Sequence, residues 1–195
     1  METPVKPRAE DSPQEFEPAW RRSDQPGALP SDPLLRRLLA DRGSLTASLR
    51  SACGSEFGLD LISEGLEPSS PEDRSLLGTE SPVLHVRRVN MRCGPRLCVC
   101  AVTRVPPETL AAEPWLETLG STPLGDALEA RGGMRRLDFE FARAESTQPT
   151  FADVLADADI RPSAIWARRS VFTLDAGPLL VYELFLPGID RCGSH

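Results

Sequence analysis

The period of the apolar positions changes along the chain, and each change marks an element. Residues 1–30 are rich in Pro, Glu, Asp, Ser and Arg and hold few apolar residues at regular spacing. Such a segment cannot offset its ordering entropy by burial, which predicts a flexible arm, with Trp20 as the one large apolar group able to dock. The folded body, expected over residues 31–188, opens with Ser31-Asp32-Pro33 as a cap and Leu34-Leu35-Arg36-Arg37-Leu38-Leu39 as a helix. Gly43 interrupts it, and Ser44-Leu45-Thr46-Ala47-Ser48-Leu49 reads as the start of a second short helix with Ser44 or Thr46 as N-cap. From Phe57 the period is two: Phe57, Leu59 and Leu61 share one side of a strand that Gly65 closes. Residues 67–78 then read as a Ser, Pro and Glu-rich connection.

Residues 83–91 and 97–105 form a hairpin about Cys93-Gly94-Pro95. Past Pro106-Pro107, residues 108–119 are helical in pattern through Leu110, Trp115, Leu116 and Leu119. Thr122-Pro123-Leu124-Gly125 is a turn into a short helix reaching Leu128. Leu137, Phe139 and Phe141 alternate with Asp138, Glu140 and Ala142 as a half-buried strand, and residues 165–174 and 178–186 flank Asp175-Ala176-Gly177 as a second hairpin. Antiparallel pairs and short helices without regular strand–helix alternation predict an α+β fold. It is a single domain, a mainly antiparallel sheet of about six strands covered by short helices, or helical flaps, that enclose a ligand cavity. Residues 189–195 read as a tail.

Composition narrows the chemistry. The 195 residues carry a net charge of −7, a surface that repels nucleic-acid phosphates. Lys6 is the only lysine and lies in the arm, so the body has no candidate for a Schiff base or a P-loop. With only His85 and His195, the patterns of zinc hydrolases, zinc deaminases and Ser-His-Asp hydrolases are missing, and His85 reads as a surface or packing residue. No signal peptide and no long apolar run appear, so Cys53, Cys93, Cys98, Cys100 and Cys192 are expected as free thiols in the cytoplasm. Cys98 and Cys100, two apart in an apolar strand, should share a face, and C-x4-C-x-C is a weak metal spacing.

Two polar side chains stand out against this background. Glu183 is embedded in Leu179-Leu180-Val181-Tyr182-Glu183-Leu184-Phe185-Leu186, where a carboxylate is expensive to bury unless it is paired. Arg87 lies in Leu84-His85-Val86-Arg87-Arg88-Val89. One reading makes Glu183 an outward-facing residue or the structural partner of an arginine. The other places an arginine and a glutamate in one cavity, the arginine fork on a substrate carboxylate and the glutamate on a hydroxyl or a moving proton. Arg168 and Arg169 could add charge, but adjacent strand residues point to opposite faces and one of them normally meets solvent.

Leu39 to Leu49 with its Gly-Ser-Leu-Thr, Val86-Arg87-Arg88-Val89, the 119–125 block Leu-Gly-Ser-Thr-Pro-Leu-Gly, Trp166-Ala-Arg-Arg-Ser170 and Leu180-Val-Tyr-Glu-Leu-Phe-Leu-Pro187 resemble, in order, the blocks of the chorismate pyruvate-lyase family. The resemblance implies an enzyme that eliminates pyruvate from chorismate to give 4-hydroxybenzoate at the entry to ubiquinone biosynthesis. It further implies a cytoplasmic monomer with no metal or organic cofactor, no nucleic-acid partner and no stable membrane insertion. Carried over by motif, Arg87 clamps the ring carboxylate, Glu183 meets the 4-hydroxyl, and backbone groups at Leu45 and Leu124 on two flaps hold the ligand. The pattern departs from the family at Val102, where related sequences often carry an arginine, with Arg104 able to supply that charge from the opposite face. It departs also at Tyr182, where a small hydroxyl residue is common, and in the longer stretch 145–160. The alternative class is a sensor-like protein of the same fold that binds a small aromatic acid without turnover, keeping the Arg87 clamp without needing Glu183.

Overall fold

The computed structural model describes residues 18–25, 27–145, 151–152, 154–155 and 162–191. Among them eight strands form one antiparallel sheet: β1 (Arg21–Arg22), β2 (Phe57–Pro68), β3 (Val83–Cys93), β4 (Arg96–Val105), β5 (Arg135–Arg136), β6 (Glu140–Glu145), β7 (Ala164–Leu174) and β8 (Gly177–Phe185). Their order is β1-β6-β7-β8-β4-β3-β2, and β5 lies ahead of β6 along the same edge of β7. The helices are α1 (Pro33–Ala40), α2 (Leu45–Cys53), α3 (Pro71–Leu77), α4 (Pro107–Ala112) and α5 (Leu124–Arg131). This is the α+β architecture expected, with the two long hairpins β3–β4 and β7–β8 joined through the β4–β8 pairing at the sheet centre.

Alternation along the central strands sends side chains to two faces, and both are covered. One face carries Val89, Met91, Ala101 and Phe185 against Leu38 and Leu39 of α1 and Leu45, Leu49 and Cys53 of α2, with a neighbouring group of Val105, Phe172, Leu179 and Val181 under α5. The other carries Val86, Val102, Leu180 and Leu184 against Leu77 of α3, Phe151 and Leu155, with Trp20 packed alongside. Burial at every second position on both sides explains why the central strands read as continuous apolar runs.

Local chemistry sets the helix ends. Asp32 accepts the Leu35 N–H at 2.7 Å with Pro33 in the first turn, and Ser44 accepts the Ala47 N–H at 3.2 Å, fixing Ser44 rather than Thr46 as the cap of α2. Residues 67–78 are more than a connection. Ser70 and Asp73 form a reciprocal capping box, Pro71 opens α3, and Gly78 at φ 62° closes it in the left-handed conformation. The helical pattern over 108–119 breaks at Glu113-Pro114 into α4 and a 3-10 turn, Pro114–Thr118, because proline cannot donate into the preceding helix.

Several irregularities depart from strict alternation. β2 continues past Gly65 to Pro68, with a register shift between Leu61 and Ser63. In β4, Leu97 pairs with Arg92 and Val99 with Met91, so Cys98 is an inserted residue, and Cys98 and Cys100 pack into different cores on opposite faces. Cys53, at the end of α2, comes within 5.4 Å (Cα–Cα) of Cys93 at the end of β3, and the two form a disulfide, which corrects the expectation of free thiols at these positions. The sheet begins before residue 31: Arg21–Arg22 pairs with β6, and Ala28 is buried. Residues 1–17, the 192–195 part of the tail and most of the 145–160 stretch lie outside the described residues.

Asp73 ties the second face together. Buried to 2% exposure, its carboxylate accepts the Tyr182 hydroxyl at 2.8 Å and stands 3.2 Å from Nη1 of Arg104 while capping α3. Burial and the adjacent carboxylate hold the Tyr182 phenol far above its usual range, so it serves as a donor. Asp73→Ala should lower stability by about 3–5 kcal/mol, since Arg104 and the Tyr182 hydroxyl lose a buried partner, and Tyr182→Phe by about 1 kcal/mol. The check is the denaturant midpoint at unchanged slope.

Candidate active site

A carboxylate in the middle of a central strand needs a partner, and the β7–β8 register supplies one by placing Arg168 directly opposite Glu183. Arg168 is fully buried. Its Nε and Nη2 donate to the two carboxylate oxygens of Glu183, the latter at 3.1 Å. Its Nη1 donates to the carbonyls of Leu38, Leu39 and Asp41 at 3.2, 3.0 and 2.9 Å, at the C-terminal end of α1. The Phe139 ring lies 4.5 Å from the guanidinium carbon. Glu183 is therefore the partner of an arginine and also faces the covered side of the sheet, so the two sequence readings of this residue are compatible. The adjacent Arg169 does not meet solvent. It is buried on the opposite face, hydrogen-bonded to Glu140 at 2.7 Å and ion-paired with Glu72 at 2.7 Å, because that face too is covered. Burial disfavours its charge, but the two carboxylates outweigh the cost and raise its pKa.

Arg87 is 3% exposed. Its Nη2 donates to the carbonyls of Gly120 and Thr122 at 2.6 and 3.0 Å, which holds the turn ahead of α5 against β3. Its buried Nε has no partner. Burial lowers the guanidinium pKa and Glu64, opposite on β2, offsets part of that, so it remains a cation at neutral pH.

The structure brings Arg87, Glu183, Leu45 and Leu124 to one cavity, with Met91 and Thr103 on its sheet side. Leu45 and Leu124 are the first residues of α2 and α5, so the lid presents two helix N-termini, whose first-turn N–H groups have no partner in their own helix. The two helix starts touch: a methyl on Gly125 would lie 3.1 Å from Oγ of Ser44. Arg50 of α2 and Asp126 of α5 pair at 2.9 Å on the outside. The open volume is about 50 Å³, room for one or two waters. A ring-sized ligand needs these two helix ends to separate.

The expected charge beside Val102 is not placed in this cavity by either candidate. Val102 packs in the second core, and Arg104 pairs with Asp73, both on the far face, since they share strand parity opposite to Arg87 and Thr103. His85 is buried, 3.5 Å from Glu64. The residue that sequence reasoning missed is Arg136, a cavity-lining side chain on β5. If Leu137, Phe139 and Phe141 pointed inward in strict alternation, Arg136 would point out. Its pairing with Phe172, and that of Glu140 with Arg169, leave one extra residue between β5 and β6, and this reverses the parity and turns Arg136 inward.

A sequence profile of the chorismate lyase family matches residues 16–191. A protein of Thiobacillus denitrificans named "Probable chorismate pyruvate-lyase" is 35% identical over 167 residues, spanning 84% of this chain and 88% of that one. One of the same name from Methylococcus capsulatus is 37% identical over 151 residues, spanning 76% and 92%. Among solved structures, the effector domain of PhnF from Mycobacterium smegmatis superimposes with a TM-score of 0.56 at 14% identity, covering 76% of this chain and 90% of that one. That likeness is one of fold.

Two tests follow from the geometry. Arg168→Met alone leaves Glu183 buried without a partner and should cost about 3–5 kcal/mol, whereas Arg168→Met with Glu183→Leu should recover most of it, a coupling read from a double-mutant cycle. Asp41 accepts from the Ser48 hydroxyl at 2.6 Å and from the Gly43 N–H at 2.8 Å. Burial opposes its ionisation, but these bonds and the nearby Arg168 and Arg136 outweigh it and lower its pKa. Its stabilising contribution is complete above the ordinary value near ~4 and is lost as pH falls through the lower folded value. The midpoint difference between the parent and Asp41→Asn should therefore be constant above pH ~5 and shrink on acidification.

Proposed function

Because the chain belongs to the chorismate lyase family, we propose that it eliminates pyruvate from chorismate, leaves 4-hydroxybenzoate, and does so at the entry to ubiquinone biosynthesis as a cytoplasmic monomer. The observation that carries the reading is one cavity lined by arginine, a fixed carboxylate and two helix N-termini. Chorismate is a dianion with a ring carboxylate at one end and a hydroxyl at the other, and these groups match it. Arg87 binds the ring carboxylate through the buried Nε–H that has no protein partner. Glu183, oriented by Arg168, accepts from the 4-hydroxyl.

The reaction breaks the C3–O bond to the enolpyruvyl group and the C4–H bond. The ether electron pair leaves with the enolpyruvate, the C4 proton is lost as the ring becomes aromatic, and a proton added to the enolpyruvate methylene completes pyruvate. The chain's contribution is fixation of the ring between two charged ends, exclusion of water under the lid, and a carboxylate beside C4 able to relay the proton. The helix N-termini at Leu45 and Leu124 add positive potential for charge developing on the departing enolate.

Incubation with chorismate should release pyruvate and 4-hydroxybenzoate in equal amounts, and Glu183→Ala and Arg87→Ala should each reduce kcat/KM by about 10²–10⁴. Tight 4-hydroxybenzoate binding without pyruvate release would instead favour a non-catalytic aromatic-acid sensor.

A further inference from the structure

Arg136 is unused by the two-ended account of the site, and its setting is unusual. Its side chain lines the cavity together with Glu183 and Phe172, and its guanidinium carbon sits 4.4 Å from the Phe172 ring and 5.1 Å from the Phe139 ring. Nη1 donates to the carbonyls of Gly43 and Arg42 at 3.0 and 3.3 Å, in the turn between α1 and α2, and the buried Nε has no partner. The Phe139 ring also lies 4.5 Å from the guanidinium carbon of Arg168, which is bonded to Glu183, so Arg136 and Glu183 share one end of the cavity; burial lowers the Arg136 pKa and Glu183 opposes the shift. Arg87 stands at the other end. It is on β3, and the sheet order puts β4, β8 and β7 between β3 and β5, about four strand spacings or 19 Å of backbone. Both arginines line the one cavity.

We propose that Arg136 is a second carboxylate-binding residue, which holds the carboxylate of a substituent next to the ring hydroxyl and makes the cavity selective for dicarboxylates. This rests on the reading above and deepens it. With the ring carboxylate on Arg87 and the 4-hydroxyl on Glu183, the enolpyruvyl ether at C3 is the neighbour of C4, so its carboxylate falls at the Glu183 end. That is where Arg136 presents an unsatisfied N–H between two aromatic rings. The same side chain also borders an outer groove with Arg22, Arg42, Arg135, Asp138 and Glu140, so it stands in the wall between that groove and the cavity. When the C3–O bond breaks, the second carboxylate departs with pyruvate, and Arg136 then has no anion in the aromatic product. Arg136 therefore acts on substrate and Arg87 on substrate and product alike.

The test uses the full chain with Arg136→Gln, Arg136→Lys and Arg87→Gln, all checked for an unchanged far-ultraviolet spectrum and thermal midpoint within a few degrees. Turnover of chorismate is measured beside equilibrium binding of 4-hydroxybenzoate, and of 3-(carboxymethoxy)benzoate, an unreactive ligand with its second carboxylate on an ether at the same ring position. Arg136→Gln should raise KM for chorismate and Kd for the dicarboxylate about 10- to 100-fold, change Kd for 4-hydroxybenzoate less than about threefold, and be partly rescued by Arg136→Lys. Arg87→Gln should weaken all three ligands. Equal weakening of mono- and dicarboxylate by Arg136→Gln would make Arg136 a latch on the lid and overturn the proposal, as would no change in either. A parent protein that binds both benzoates but releases no pyruvate would refute the lyase reading alone, and the two binding constants would still decide the role of Arg136.

Discussion

The buried pair Arg168–Glu183 governs how the rest of the molecule is arranged. An arginine with no exposure is tolerable only if nearly all of its donors are used, and here they are divided between a carboxylate on the next strand and the carbonyls that end α1. One side chain thus settles the charge of the sheet centre and the position of the covering helix. The carboxylate gains a fixed orientation, because two parallel N–H bonds leave it no rotational freedom. The pair contributes specificity of geometry more than stability, since both ions gave up hydration to be there.

Sheet and cover meet differently on the two faces. The α3 face is closed by a network around Asp73, Tyr182 and Arg104 in which each charge has a partner. The α2/α5 face is closed by the meeting of two helix starts, and beneath it lie two arginines each with a buried N–H unmatched. Buried donors left unpaired are costly in a structure that had only to be stable. Arg104 and Arg169 on the α3 face also carry an unmatched buried N–H, but those side chains are paired with carboxylates, whereas Arg87 and Arg136 line the cavity, which is what distinguishes the cavity side of the sheet.

Much of this was legible in the sequence where one rule acted alone. The hairpin of β7 and β8, the cap regions at Ser31-Asp32-Pro33 and at Ser44 or Thr46, and the oddity of Glu183 in an apolar run followed from periodicity and burial cost. What was hidden depended on single inserted residues. The insertion at Cys98 separated two cysteines that spacing put on one face, and the insertion between Arg136 and Glu140 turned an arginine inward that alternation turned out. A bulge leaves no composition signal, and a strand pattern read across it assigns the wrong side to everything beyond. The α3 helix was hidden for another reason: its seven residues hold too few apolar positions to show a period, and only the Ser70…Asp73 spacing with Pro71 marks it. The Cys53–Cys93 bond was hidden because it joins elements 40 residues apart.

That bond has a mechanical consequence for the lid. α2 is tied covalently to the sheet at Cys53, its last residue, while its first residues, eight positions earlier, form the cavity roof. The helix is therefore anchored covalently at one end and held at the other by non-covalent contacts, those of Ser44 with Gly125 and of the preceding turn with Arg136. The contact between Ser44 and Gly125 is thereby the part of the roof farthest from its covalent anchor.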